Sequence, residues 1–179
     1  MAQHEGAPVV SDRWVTRQVA EAIRLMAPQG ITIRKVAQRK LDPRFAALET
    51  PEDRDAVSAE VEPKVINVFI VRSLRDIHRT ERFIMGVRWR LRRNLAKDYV
   101  ILSTKALPTT LAHELGHYLG NPHSPVDNNI MSYQRSDPSA VRFDRAQGVR
   151  MRQIARRNLR IGRLIPADRY AELAAKPKP

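Results

Sequence analysis

The chain has 179 residues, 42% of them hydrophobic, which suits one domain with a buried core and argues against a disordered or fibrous protein. It contains no cysteine, so disulfides and thiol nucleophiles are excluded, and any transition-metal site must use histidine and carboxylate ligands. The net charge of +13 attracts polyanions such as nucleic acid, but the arginines are spread along the chain and a solubilising surface is the simpler explanation.

The N-terminal third predicts a helix, a strand and a long loop. The helix begins at Ser11 or Asp12 and ends at the APQG sequence of residues 27–30, because proline and glycine interrupt helices. Residues 31–38, ITIRKVAQ, alternate apolar and polar side chains and predict a strand. Residues 42–63 are acidic, contain three prolines and predict a surface loop with one short helical turn. The apolar stripe of the helix comprises Val15, Val19, Ala22, Ile23 and Met26.

The middle of the chain predicts three more strands and then two helices. Residues 64–71, KVINVFIV, are the best candidate for a central strand, and residues 98–103, DYVILS, predict a short buried one. Residues 82–93, RFIMGVRWRLRR, alternate apolar residues with arginine and suit an edge strand. Helices are predicted over Leu111–Gly120 and from Asp144 onwards, the second with a stripe of Met151, Ile154, Ala155 and Leu159. This order predicts an α/β (α+β) fold around one mixed sheet.

Three of the five histidines lie in one stretch, PTTLAHELGHYLGNPHSPVDNNIMSY, at residues 108–133. On a helix, His113 and His117 are one turn apart on the same face, so both imidazoles can reach one ion. Glu114 points away from their shared direction and is better placed to hold a metal-bound water than to bind the metal. Gly120 ends the helix in a left-handed conformation, and the chain then turns back so that His123 can be the third ligand.

Three neutral ligands leave a fourth position for water, which is the pattern of a catalytic zinc site. Zn²⁺ lowers the pKa of that water towards about 7, and Glu114 would take its proton and pass it to the leaving amine. The alternative is a histidine-rich helix without metal, since the HExxH pattern alone also occurs in proteins that bind none. The complete string H-E-x-x-H-x-x-G-x-x-H, from His113 to His123, favours the zinc site.

Residues His113–His123 resemble the zinc signature of the metzincin metallopeptidases, the class that includes matrixins, astacins and serralysins. The sequence NNIMSY resembles the methionine turn of that class, and Met131 would lie beneath the metal. The pair His123–Ser124 is most similar to matrixins, whereas Tyr133 is similar to the tyrosine of astacins and serralysins. The resemblance implies that Tyr133 stabilises the reaction oxyanion, and a tyrosine packed in the turn is the alternative.

The same resemblance implies a metzincin-like zincin fold: a mixed twisted sheet with an antiparallel edge strand, the zinc-binding helix, the methionine turn and a C-terminal helix. It implies one catalytic domain over 1–179, with subdomains at 12–120 and 121–165. The edge strand would form the rim of the cleft and pair with substrate, its exposed arginines favouring acidic groups, unless those charges serve only to prevent aggregation. A cysteine for a latency switch is absent from the sequence.

The function predicted is that of a monomeric zinc metalloendopeptidase acting on proteins or peptides. Two alternatives stay open: a metalloprotease recruited to nucleic acid, and a non-catalytic protein that binds zinc or polyanions. No apolar run could span a bilayer and no signal peptide is recognisable, which predicts a cytoplasmic protein if this is the full chain and a secreted one if it is a trimmed form. His78 and His4 are expected outside the site, in a surface loop and the N-terminal segment.

Overall fold

The computed structural model describes residues 1–174, so the last five residues of the predicted 1–179 domain lie outside the described part. The fold is mixed α and β, as the order of elements predicted, but the strands of residues 1–174 form three small sheets and not the single mixed sheet expected. No helix in residues 1–174 combines the length and apolar character that crossing a bilayer requires. The helices are α1 (Asp12–Met26), α2 (Pro51–Ala56), α3 (Thr110–Tyr118), α4 (Arg145–Arg160) and α5 (Ala167–Ala174). The strands are β1 (Gln3–His4), β2 (Ala7–Pro8), β3 (Ala47–Leu48), β4 (Asn67–Val71), β5 (Ser73–Leu74), β6 (Gly86–Arg90) and β7 (Asp98–Ser103).

The main sheet has the order β4-β7-β6, with β4 parallel and β6 antiparallel to β7. The central strand is therefore β7, and the prediction that residues 64–71 are central was wrong. Every residue of β7 is buried. Tyr99 and Ile101 pack into one hydrophobic cluster, and Val100 and Leu102 into another on the opposite face. The antiparallel edge position of β6 agrees with the prediction for residues 82–93.

The strand predicted at residues 31–38 is absent, because this segment has no neighbouring strand to pair with. A cavity of about 460 Å³ lies between this segment and β4, lined by Ile33, Val68 and other apolar side chains. After this segment, the N-terminal residues of the chain link Leu41 to β4. Leu41 N donates to Met1 O at 2.8 Å, and Ala2 N donates to Ile70 O of β4 at 2.8 Å. Ile31 and Ile33 pack against the hydrophobic core, so the alternation of apolar residues reflects this packing and not membership of a sheet.

Residues 42–63 are more ordered than the predicted loop. They contain two 3-10 helices (Pro43–Phe45 and Val57–Glu60), the strand β3 paired with β5, and α2 between them. A reciprocal capping box of Thr50 and Asp53 begins α2. This region covers one face of the sheet, since Arg54 is 2% exposed and its guanidinium stacks on the Trp89 ring of β6. Short capped helices of this kind lack the long apolar periodicity that sequence analysis detects.

The terminal helices follow the predicted caps but not every predicted face. Ser11 caps α1 by accepting from Trp14 N, and Asp144 caps α4 through a capping box with Gln147. Two residues of the predicted apolar stripes are exposed, Ile23 at 41% and Leu159 at 43%. A further helix that was not predicted from the sequence, α5, follows α4.

Candidate metal centre

The helix α3 is held at its N-terminus by a buried glutamine of α1. Gln18 is 3% exposed. Its side-chain oxygen accepts from Leu111 N at 3.1 Å, and its nitrogen donates to Leu107 O at 2.8 Å. Because the first N–H groups of a helix have no partner inside the helix, Gln18 supplies what α3 lacks locally. The role of Gln18 was not predicted from the sequence, since its partners Leu107 and Leu111 lie 89 and 93 residues away.

The three histidines predicted as ligands lie together and could hold a metal ion. His113 and His117 project from the same face of α3, and their Nε2 atoms are 3.2 Å apart. The chain turns at Gly120, whose φ of 92° is left-handed, and returns His123 so that its Nε2 lies 3.1 Å from that of His117. His78 and His4, predicted to lie outside the site, are both exposed and are not part of this cluster.

The hydrogen bonds of the Nδ1 atoms of His113 and His117 show which tautomer each of these two histidines adopts. His113 Nδ1 lies 2.7 Å from Ile130 O, and His117 Nδ1 lies 2.8 Å from Asn121 O. A carbonyl oxygen can only accept, so each Nδ1 carries the proton and each Nε2 presents a lone pair. Two such lone pairs 3.2 Å apart repel each other unless a cation lies between them. The arrangement therefore fits a metal ion.

Desolvation favours the uncharged form of these imidazoles, including that of His123, which is the exposed member of the three. Desolvation is the main cause that lowers the pKa of each of the three histidines, and it brings the pKa of His113 to about 4. Metal ligands must be neutral imidazoles, so at neutral pH the ligands are already in the required state. Proton loss therefore adds little to the cost of metal binding at that pH.

Met131 packs against α3 at Gly116, between His113 and His117 in the sequence, because the glycine leaves room for it. A Cβ at position 116 would collide with the sulfur of Met131 and would lie 3.0 Å from the ring of Phe143. Met131 is fully buried, and its N–H is held by the side chain of Asn129 at 2.9 Å. The glycine between the histidines thus allows the turn to pack against α3, a role that the motif alone did not reveal.

Glu114 is 5% exposed beside the histidines, and burial raises the pKa of its carboxyl to about 7. The backbone N–H of Arg88 opposes this shift. Strand β6 can approach so closely because Gly86 has no side chain: a Cβ there would lie 3.1 Å from Glu114 Cγ. A buried carboxyl with a pKa near neutrality is suited to accept and release a proton.

Burying this carboxyl has a measurable cost to stability. Its folded-state pKa of about 7 exceeds the model-compound value of 4.5, so its stabilising contribution is present below pH 4.5 and is lost as the pH rises to about 7. We therefore expect metal-free Glu114→Gln to be more stable than metal-free wild type at pH 8, on the order of 2 kcal/mol after allowing for burial of the amide. Thermal unfolding of both proteins in chelator, at pH 8 and pH 4.5, measures this difference. Equal melting temperatures at pH 8 would contradict it.

Tyr133 reaches the histidine cluster from solvent. Its hydroxyl lies 2.9 Å from His123 Nε2, although the residue is 81% exposed. The pKa of the hydroxyl is raised first by partial burial of that end and second by the charge of Glu114. Tyr133 is therefore not packed in the turn and has room to move away from His123.

The arginine face predicted for the edge strand is only partly exposed. The Arg88 guanidinium binds both carboxylate oxygens of Asp98, at 2.9 and 2.6 Å, and also donates to His117 O at 2.9 Å. Asp98 is 5% exposed, so this pair is largely buried. Arg88 therefore secures the last turn of α3 and is not free to bind an acidic substrate group.

Arg135 holds the turn containing Met131 against α3, a role that was not predicted from the sequence. Its guanidinium donates to Ile130 O at 2.9 Å, to Ser132 O at 3.1 Å and to Thr109 Oγ1 at 2.9 Å. Ile130 O is also the acceptor that orients His113. One planar group thus joins the start of α3 to the carbonyl that sets the direction of a ligand.

We expect Arg135→Gln to weaken the binding of zinc, used as the probe ion, by about 10- to 100-fold, the usual effect of losing a residue that orients a ligand. Arg135→Lys should fail to restore the affinity, because an ammonium cannot bridge three acceptors in one plane. Competition with a chromophoric chelator measures the affinity. The control is Arg142→Gln, which removes an exposed arginine of the neighbouring segment. Unchanged affinity in Arg135→Gln would show that Arg135 does not position His113.

Comparisons of the chain with protein-family models, with curated proteins and with solved structures gave no match. The candidate site is therefore described by its own geometry alone. Of the residues predicted from the sequence, three form the cluster: His113, His117 and His123. Glu114 and Tyr133 lie beside it, Gly120 is at the bend, and Met131 packs on α3 at Gly116. The supporting residues that sequence analysis missed are Gln18, Gly86, Gly116, Arg88 and Arg135.

Proposed function

We propose that this protein is a zinc-dependent metalloendopeptidase of the metzincin type. The observation that carries the proposal is the convergence of three imidazole Nε2 atoms beside a buried carboxyl whose pKa is raised to about 7. A histidine cluster for binding alone has no need of a general base next to it. The mixed sheet, the α3 helix and the turn containing Met131 support the same proposal.

The donor set suits zinc. Tetrahedral Zn²⁺ with bonds of about 2.0–2.1 Å places its ligand atoms roughly 3.3–3.4 Å apart. The Nε2 atoms of neighbouring histidines are 3.1 and 3.2 Å apart, close to this requirement. His113, His117 and His123 would hold the ion, and when bound it would supply Lewis acidity that polarises a peptide carbonyl and lowers the pKa of water.

The residues of the chain supply the proton transfers and the orientation. Glu114 would accept the proton of the attacking water and deliver it to the leaving amine, for which a pKa near neutrality is favourable. Tyr133 would move away from His123 and donate a hydrogen bond from its hydroxyl to the developing oxyanion, since its exposure gives it space to move. Ile130 O and Asn121 O hold two of the imidazoles in the tautomer that the site needs.

The proposed substrate is an extended peptide that lies along β6. This strand pairs with β7 along one side and is the edge of the main sheet, so its other side can accept a substrate backbone as an added strand. Glu114 packs against Gly86 on this strand, which would place the scissile bond near the carboxyl. Backbone pairing of this kind is largely independent of side-chain sequence.

The experiment that tests the proposal is digestion of casein or of a mixed peptide library by the zinc-loaded protein. We expect cleavage that stops when a chelator removes the metal and returns when zinc is added. A protein that binds stoichiometric zinc and cleaves no peptide in such a library would instead be a binding protein.

A further inference from the structure

The helix α4 and the turn after it carry more than half of the net charge of the molecule. Residues 145–166 contain seven arginines, no lysine and no acidic residue, so they contribute +7 to the net charge of +13. Arginines are as frequent in residues 72–93, but acidic residues lie among them there, whereas none lies in residues 145–166. The seven arginines of residues 145–166 are Arg145, Arg150, Arg152, Arg156, Arg157, Arg160 and Arg163.

Five of these arginines form one exposed face, which we call the α4 basic face: Arg145, Arg150, Arg156, Arg157 and Arg160. At 100° per residue they fall within an arc of about 140°. The opposite side of α4 is buried in the protein through Gln147, Gly148, Met151 and Asn158. The other two arginines are half-buried and hold the fold, Arg152 by donating to Gln29 O and Arg163 by donating to Leu95 O.

The charge of the α4 basic face is not neutralised within the described residues. The ion pairs found in residues 1–174 use arginines of other elements, such as Arg24, Arg39, Arg75 and Arg88. None of them includes an arginine of α4. Like charges one turn apart on a helix repel each other. An anion bound on the face relieves this repulsion and lowers the free energy.

We propose that the α4 basic face binds the phosphate backbone of a nucleic-acid duplex without reading its bases. Each guanidinium can donate two parallel hydrogen bonds to the oxygens of one phosphate. The helix α4 is about 24 Å long, which is enough to lie against several phosphates. The face has no aromatic residue on which unpaired bases could stack. Its exposed apolar residues, Val149, Leu159 and Ile161, point in different directions, so it lacks the continuous apolar side that a bilayer requires. This surface does not depend on the proposed peptidase activity.

The test compares two variants with the same loss of charge. One carries Arg150→Gln, Arg156→Gln, Arg157→Gln and Arg160→Gln on the α4 basic face. The control carries Arg13→Gln, Arg17→Gln, Arg34→Gln and Arg72→Gln, four exposed arginines of other regions. Fluorescence anisotropy with a double-stranded DNA of about 20 base pairs gives the affinity at several salt concentrations, and circular dichroism checks that each variant is folded.

For wild type we expect binding at about 50 mM salt, with log K falling by about 4 to 5 per decade of salt because five phosphates are neutralised. The α4 variant should bind at least about 10-fold more weakly with a slope near −1, and the control should stay within about threefold of wild type. Equal losses in both variants, or no binding by wild type, would overturn the proposal. So would tighter binding to single-stranded DNA, or α4-dependent binding to phosphatidylserine vesicles without binding to the duplex.

Discussion

The substitution Glu114→Gln is expected to lower kcat/KM for peptide cleavage by about 10³-fold while leaving stoichiometric zinc in place. Glutamine keeps the shape of the side chain but cannot accept a proton from water. Since Glu114 is not among the three converging imidazoles, its loss should not disturb metal binding. The measurement is the rate of cleavage of a fluorogenic peptide together with zinc content by mass spectrometry.

The matched control for this variant is Glu52→Gln, which neutralises an exposed carboxylate of α2. It should cleave at the wild-type rate, so the loss in Glu114→Gln can be assigned to the position and not to the charge. If Glu114→Gln retained most of its activity with zinc bound, another group would have to be the base. If the variant lost both zinc and activity, the side chain of Glu114 would be required for metal binding.

The substitution His117→Ala is expected to abolish the stabilisation of the fold by zinc. Zinc at 1,000 times its Kd stabilises a protein that binds it only when folded by about 4 kcal/mol, which corresponds to roughly 10 °C in Tm for a chain of this size. With one of three imidazoles missing, the affinity falls and this increase should disappear. Scanning calorimetry with and without zinc measures it for both proteins.

Two further variants separate specific binding from adventitious effects. His78→Ala removes an exposed histidine outside the cluster and should show the full wild-type increase in Tm. His123→Ala should behave like His117→Ala, because both Nε2 atoms belong to the same cluster. An increase in Tm that persists in His117→Ala would mean that zinc binds elsewhere.

The elements predicted most accurately are those whose signals are local in the chain. Helix caps at Ser11 and Asp144 and the short apolar run YVIL at residues 99–102 depend on neighbouring residues only. The zinc-type motif is equally local, because spacings of four and six residues determine which imidazoles can meet. These features could therefore be predicted without knowing the rest of the fold.

The errors arise where the outcome depends on distant partners. Residues 64–71 and 98–103 are both rich in apolar side chains, and only the pairing of β6 with β7 makes the second of them central. Residues 31–38 alternate like a strand but face a cavity where a partner would have to be. Gln18 contacts a residue 93 positions away and Arg135 one 26 positions away, so neither role leaves a pattern in the sequence.

Every catalytic role proposed above depends on one metal ion lying between the three Nε2 atoms. Anomalous diffraction at the zinc absorption edge, from crystals grown with zinc, locates such an ion directly. We expect a single strong peak about 2.0–2.1 Å from the Nε2 atoms of His113, His117 and His123. Crystals with zinc bound elsewhere and none between these three atoms would contradict the proposed metal centre and the peptidase activity that depends on it.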